Sequence, residues 1–493
     1  MKIKPIAAMT CCAALLSIPF SGFVTEAEAS ELVEGNNATV VSPVSQQAVS
    51  FTDAWRAVVM SNDGLAAERA NVERTEHLQD AASDLFFPQV TAKANYTRLD
   101  KPIEIKPSDV IGSMPAGEQV AGLAQMLGIN PAAVDKMFTS QLTDRDIFTS
   151  SIRAVWPIFT GGRIMAAQDI AKGQNEEARY LLAMKQQAKF EDLSKFYFGV
   201  AMTQQLLQTR VDVEQGLKKH FEHALKLEQQ GQIAKVERLQ AEASYDKARV
   251  ERQKAERDME IAQVALTKLL KLERPAVPST SLFINESLPP MSAFIEKTLS
   301  DYPGLHILDA KKKQASGLID AEKGKYYPEV YLYGNYSLHE DDTLAAKTAP
   351  DWAVGVGVNI PLIDNSGRSG KVKAAHSMVT QVNYLHAQAE QDLSVLVEKT
   401  YREAMQALEE YNGLSSSLKL AKENVRLREK AFSQGLSTSL DVVDAELYQA
   451  SVKTQRSAAA FQYVISLSRL LAMSGEMNSF NQYQQYQGVE VKS

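Results

Sequence analysis

Phe86-Phe87-Pro88-Gln89-Val90-Thr91-Ala92-Lys93-Ala94-Asn95-Tyr96-Thr97 decides the reading of this chain, together with its counterpart Tyr326-Tyr327-Pro328-Glu329-Val330 in the second half. After Pro88 the residues alternate: Val90, Ala92, Ala94 and Tyr96 fall on one face, and Gln89, Thr91, Lys93 and Asn95 on the other. A period of two belongs to a strand. The second stretch repeats it with Val330, Leu332, Gly334 and Tyr336. Downstream, Phe148, Ser150, Ile152, Ala154 and Trp156 align with Trp352, Val354, Val356, Val358 and Ile360. Each half is expected to hold one hairpin, about 89–156 and about 329–360. Its strands, about 9 to 10 residues long, would cross a bilayer when tilted. Tyr96, Trp156, Tyr336 and Trp352 stand at strand ends, where aromatic girdles meet the membrane surfaces.

The two stretches belong to an internal duplication. Asn62-Asp63-Gly64-Leu65 answers Tyr302-Pro303-Gly304-Leu305 at the same offset, while Trp156-Pro157-Ile158-Phe159 and Gly231 answer Ile360-Pro361-Leu362-Ile363 and Gly435 at a shorter one. The copies span 50–272 and 291–475, joined by a Pro-rich connector, 273–290, and followed by a polar tail, 476–493. The extra residues of the first copy fall at Lys101 to Thr143, a stretch rich in Pro, Gly and Met that reads as a long loop. From Gly162 to Gly231 and from Gly367 to Gly435 there is no proline and little glycine, so each predicts a helix of roughly 60 residues, about 90 to 100 Å long. Small residues recur every seven positions past each glycine: Ala241, Ala248, Ala255, Ala262 and Leu269, then Ala445, Val452, Ala459, Ser466 and Met473. That pattern predicts closely packed antiparallel coiled coils. Arg252 and Arg456 interrupt the same heptad position and are expected to snorkel or pair with acids.

At 493 residues, 45% hydrophobic and 23% charged, the chain is too apolar to be disordered, and a formal charge of −7 leaves no basic footprint for nucleic acid. Outside the first 25 positions there is no run of about 18 apolar residues, which excludes a bundle of membrane-spanning helices and leaves a β-barrel open. Lys2 and Lys4, the apolar Ile6–Phe23 stretch and Ala27-Glu28-Ala29 read as a signal peptide, 1–29, cut after Ala29. Cys11 and Cys12 go with it, so no disulfide, thiolate or Cys-based zinc chemistry is expected in the mature chain. Four membrane-length strands cannot close a barrel, and open edges cannot face lipid. The chain must assemble: two copies would give eight strands and a packed interior, three would give twelve and an aqueous passage.

With this order of parts the sequence resembles the TolC-like outer-membrane efflux family over nearly the whole mature chain. The carrying features are the duplicated order of helix, aromatic-Pro hairpin, long helix, glycine turn and heptad helix. With them go Gln230-Gly231-Gln232-Ile233-Ala234-Lys235-Val236-Glu237 and Gln434-Gly435-Leu436-Ser437-Thr438-Ser439-Leu440-Asp441-Val442-Val443-Asp444-Ala445. The resemblance implies a mixed α and β, mainly helical fold assembled as a homotrimer. A twelve-stranded barrel would sit in outer-membrane lipid, continuous with a twelve-helix periplasmic tunnel. A periplasmic adaptor (membrane fusion) protein and an inner-membrane pump or ABC exporter would dock on it. Gly231 and Gly435 would turn at the periplasmic tip, and Asp441 and Asp444 would line the aperture as acidic rings favouring cations. A competing expectation is that Asp441 caps a helix with Thr438. Phe432 and Ser437 stand where the family often has a tyrosine and an arginine, so closure is expected to rest on packing and on Glu237, otherwise a solvated tip charge. Lys93, Asn95, Arg153 and Asn359 are expected to face the barrel lumen and tune conductance.

Other clusters suggest no chemistry. His220 and His223 read as a surface pair rather than metal ligands, and Gly355-x-Gly357 as small residues facing the lumen rather than a nucleotide loop. No catalytic constellation can be assembled, so neither an enzyme nor a cofactor nor a metal site is expected. The expected function is a passive outer-membrane duct of a tripartite system, exporting small molecules such as drugs and toxic compounds. Its coiled coils would open at the tip like an iris once an adaptor engages. One alternative is the outer-membrane component of type I protein secretion. Another, of a different class, is a secreted periplasmic coiled-coil structural or adhesive protein.

Overall fold

A computed structural model describes residues 47–340, 350–363, 365–485 and 488–491; the expected signal peptide, with Cys11 and Cys12, lies outside them. The chain enters on β1 (Gln47–Val49), α1 (Phe51–Ser61) and α2 (Asp63–Ser83). Ser50 and Asn62 start the two helices, their side chains accepting the N–H groups of Asp53 and Leu65. Strand β2 (Gln89–Arg98) follows Pro88. An insertion then holds β3 (Ile103–Ile105), α3 (Pro107–Ser113), α4 (Gly117–Met126), α5 (Pro131–Phe138) and β4 (Ser140–Thr143), before β5 (Asp146–Phe159) returns. The stretch from Lys101 to Thr143, expected as a long loop, is therefore folded. Pro107 and Pro131 each open a helix, at the position where a missing N–H is no loss, and β3 pairs with β4 at the neck.

Next come α6 (Arg163–Gln229), α7 (Lys235–Leu269), β6 (Ala276–Pro278), β7 (Phe283–Asn285), α8 (Met291–Asp301) and α9 (Pro303–Gly324). Strands β8 (Glu329–Glu340) and β9 (Trp352–Asn359) lead to α10 (Arg368–Ser433), α11 (Ser439–Met473), α12 (Phe480–Gln485) and β10 (Gly488–Glu490). Helices α6 and α10 run 67 and 66 residues, about 100 Å each, and α7 and α11 run 35 each. Each long helix turns back at a glycine, Gly231 or Gly435, both at φ 70°. Side chains resist that left-handed conformation.

The long strands form one antiparallel sheet in the order β2-β5-β8-β9. Val90 stands opposite Ala154, Ala154 opposite Gly334 and Gly334 opposite Val354; on the other side of the pleat Thr91 faces Arg153, Arg153 faces Asn335 and Asn335 faces Ala353. One face is thus apolar across all four strands and the other largely polar. Among the described residues the apolar face is uncovered: Val90, Val354, Val356 and Val358 are each at least 60% exposed.

The core sits midway along the helices. The Phe51 ring lies 4.5 to 5.6 Å, centroid to centroid, from Phe190, Tyr197, Phe198 and Phe480. Such pairs are each worth about 0.5–1.5 kcal/mol beyond their buried area. The Tyr197 hydroxyl donates to the Val49 carbonyl at 2.6 Å and accepts the Thr280 N–H at 3.0 Å, tying α6 to both entry strand and connector. Within the connector Ala276, Leu282, Phe283 and Ile284 are buried, β6 pairs with β1, and β7 pairs with β10 of the tail. Phe480 and Val491 bring the tail into the same core.

Along the coiled coils Ala241, Ala248 and Ala255 of α7 and Ala445, Val452, Ala459 and Ser466 of α11 are buried, as their heptad spacing requires. Arg252 pairs with Glu214 at 2.6 Å and Glu256 at 2.9 Å. Arg456 instead stacks 4.2 Å over Tyr411 and donates to its hydroxyl. Among the described residues no helix is long and apolar enough to cross a membrane.

Candidate functional site at the helical tip and on the polar sheet face

The two glycine turns are held together by polar contacts and one buried ring. Thr438 is the N-cap of α11: its hydroxyl accepts the Asp441 N–H at 3.3 Å, and the Asp441 carboxylate accepts the Thr438 N–H at 2.9 Å and hydroxyl at 2.7 Å. This is a capping box. Ser437 donates a further bond at 3.1 Å, and Arg428 stands 3.2 Å away. The Thr438 bonds first, then Ser437 and Arg428, hold the Asp441 carboxyl below the usual carboxylate range. Asp444, one turn on, is exposed and forms no ion pair among the described residues. It lines a groove of about 430 Å³ with Arg210, Lys247, Glu251, Leu440 and Leu447.

Glu237, at the start of α7, is half-buried rather than solvated. Its Oε2 accepts the Ser439 backbone N–H at 2.7 Å, placing a negative charge on the first turn of α11, where the helix dipole favours it. The expected surface pair of histidines is split: His223 is exposed, while His220 is 6% exposed, with Nε2 2.6 Å from the Ser439 hydroxyl. Burial, and then the neighbouring His223, push the His220 imidazole down from 6.5 to about 4. It is neutral at pH 7. The Phe432 ring meets His220 edge-on at 4.6 Å and is enclosed by Ala224, Leu227, Ala241 and Val442 of the same chain. Phe432 therefore fills the tip's own core.

Glu446 is a half-buried carboxylate that sequence spacing does not single out. From α11 its carboxyl lies over Gly216 of α6, where any Cβ would come within 2.6 Å of Oε1. Burial first, and Glu429 second, push it up to about 7. Beside it Lys453 and Asp212 pair at 2.8 Å. Its one signal in sequence is Gly216, a helical glycine with no turn to make.

The register brings Lys93, Asn95, Arg153 and Asn359 onto the polar sheet face, opposite Ser151, Thr149, Asn335 and Glu329 respectively. Gly355 and Gly357 share that face by register, and their cross-strand partners Tyr333 and Tyr331 lie over them: a Cβ would stand 2.6 and 2.3 Å from ring atoms. Trp156 Nε1 donates to the Phe86 carbonyl at 2.8 Å, and Arg163 pairs with Glu329, fastening sheet to helices. The result is a wall that is apolar on one side, polar on the other and, among the described residues, unpaired at β2 and β9. Among the described residues no group of three or more His, Cys, Asp or Glu is placed to hold a metal ion.

Known proteins share this architecture. The family described as outer membrane efflux protein matches residues 60–270 and 294–476. Outer membrane protein TolC of Vibrio cholerae is 23% identical over 331 residues, covering 63% of this chain and 73% of that protein. Protein CyaE of Bordetella pertussis is 21% identical over 336 residues, covering 66% and 70%. Two solved structures have the same fold. The open-state MtrE outer membrane channel of Neisseria gonorrhoeae gives a TM-score of 0.66 at 18% identity, over 90% of this chain and 95% of that one. The CmeC outer membrane channel of Campylobacter jejuni gives 0.67 at 13%, over 91% and 94%.

Proposed function

We infer the mechanism from one premise: this chain belongs to the outer membrane efflux protein family. It is an efflux duct of the outer membrane. Three copies place twelve strands in one closed barrel, apolar face to lipid and polar face to a water-filled lumen. Helices α6, α7, α10 and α11 of each copy continue the barrel as a periplasmic tunnel. The open sheet carries this reading, since its uncovered apolar face and the unpaired edges of β2 and β9 suit neither water nor lipid until neighbours close them. Two copies would enclose an interior that side chains fill, whereas three leave a passage. A soluble coiled-coil filament offers no reason for such a face.

Transport is passive. Small drug-like and toxic compounds move down the lumen past Lys93, Asn95, Arg153 and Asn359. Their energy comes from an inner-membrane pump, reached through a periplasmic adaptor that engages the tip near Gly231 and Gly435. Asp444 forms the free acidic ring at the aperture, while Asp441 is held by its cap. The chain is a conduit and catalyses nothing. Fractionation tests the reading: it expects an outer-membrane, SDS-resistant species of three chains that forms single channels in planar bilayers. A water-soluble single subunit needing no detergent overturns it.

A further inference from the structure

The insertion between β2 and β5 carries apolar surface that no other described residue of the protomer covers. In α4 only Glu118, Gln119 and Gln125 are polar, and a helix apolar nearly all round belongs in an interior. Yet Val120, Leu123, Met126 and Leu127 are 45% to 88% exposed, and Met137 and Phe138, at the end of α5, are 79% and 63% exposed. Behind α4, Ile111, Ala121, Ala124, Ile129 and Val134 line an open cup of about 410 Å³. Monomers seldom leave so much contiguous apolar surface in water.

Lipid is a poor occupant. Residues 101–143 contain no Trp or Tyr and one Phe, and their three Lys are interspersed with four acids, so there is neither an aromatic belt nor a basic patch for headgroups. Position favours a second copy. Helices α2, α6, α9 and α10 join the sheet at one end, and the insertion hangs from the other, where Arg98 stands opposite Asp146 and the Leu99 N–H donates to the Arg145 carbonyl at 2.7 Å. It grows directly out of β2, an edge strand that must find a neighbour. Whatever completes the sheet also stands beside the insertion.

We propose that the three insertions of the assembled duct pack on one another through α4 and the end of α5 and narrow the outer mouth of the barrel. This rests on the trimeric-barrel reading. The test uses the full chain with Cys11→Ser and Cys12→Ser and, separately, Leu123→Cys or Met126→Cys. Oxidation is expected to link pairs of chains for at least one position, and reduction to release them. In bilayers Leu123→Glu with Met126→Glu should raise single-channel conductance by roughly two-fold or more, because repelling carboxylates spread the constriction. A trimer that links at neither position and whose conductance is unchanged overturns the proposal and leaves the duct standing. A chain that forms no trimer overturns both.

Discussion

The Glu237 carboxylate accepts the backbone N–H of Ser439 at 2.7 Å, so a side chain from one tip helix caps the first turn of another. The Ser439 hydroxyl in turn meets His220 at 2.6 Å. Three helices, α6, α7 and α11, therefore converge on a single serine.

Breaking that convergence should loosen the tip. Glu237→Ala strips the Ser439 N–H of its acceptor, at a cost of about 1 kcal/mol, typical of a lost N-cap. Planar-bilayer recordings should show the variant conducting for a larger fraction of the time, with Glu237→Gln, which keeps an acceptor oxygen, closer to the parent. Identical gating in all three would remove Glu237 from closure.

Ion selectivity should separate the two aspartates. The Asp441 charge is engaged by Thr438, Ser437 and Arg428, whereas Asp444 is exposed. Reversal potentials in asymmetric salt should shift away from cation preference more for Asp444→Asn than for Asp441→Asn. The opposite ranking would place Asp441, not Asp444, at the narrow ring.

His220 makes the tip acid-sensitive. Its folded value of about 4 lies below the ordinary 6.5, so the unfolded chain takes the proton first. The His220 contribution to stability is full above 6.5 and declines as the pH falls towards 4, by at most about 3 kcal/mol. His220→Gln, which retains a polar partner for Ser439, should weaken the drop in melting temperature between about pH 7 and pH 5. Parallel curves for the two proteins would deny His220 that part.

Glu446 acts with the opposite sign. Its carboxyl is raised from 4.5 to about 7, so the folded state keeps a proton that the unfolded chain releases, and stability falls as the pH rises from 4.5 through 7. Glu446→Gln should raise the melting temperature above about pH 7 and change little near pH 5. A variant less stable than the parent in alkali would show that the charged form is the one the fold prefers.

Space beneath Tyr331 governs assembly of the sheet. Gly357→Val puts side-chain atoms where the ring lies and should abolish the SDS-resistant species. Adding Tyr331→Ala, which vacates the space, should restore part of it. Normal assembly of Gly357→Val alone would mean the ring can swing aside.

Much of this was legible because it is local. Alternation after Pro88 and Pro328 marks β2 and β8, and glycines mark the ends of α6 and α10, since each signal depends on a few neighbouring φ and ψ values. The helices of the insertion are hidden for the same reason: Pro107 and Pro131 look like loop residues until they are seen at the first position of a helix. The capping box at Thr438 could be read from spacing alone. Which of His220 and His223 points inward, what Glu237 bonds, and why Gly216 faces Glu446 depend on the rotational phase of one helix against another. Spacing within a single segment carries no information about that phase.

The pairs α6–α7 and α10–α11 agree in length to within one residue. Each added residue lengthens a helix by about 1.5 Å and turns it by about 100°, so a lone insertion in one pair would leave a stepped rim and swing every contact beyond it out of place. Growth of such a conduit is quantised: only whole heptads, inserted in both rising and both returning helices together, keep the end level. A longer or shorter version of this protein must carry four matched edits rather than one.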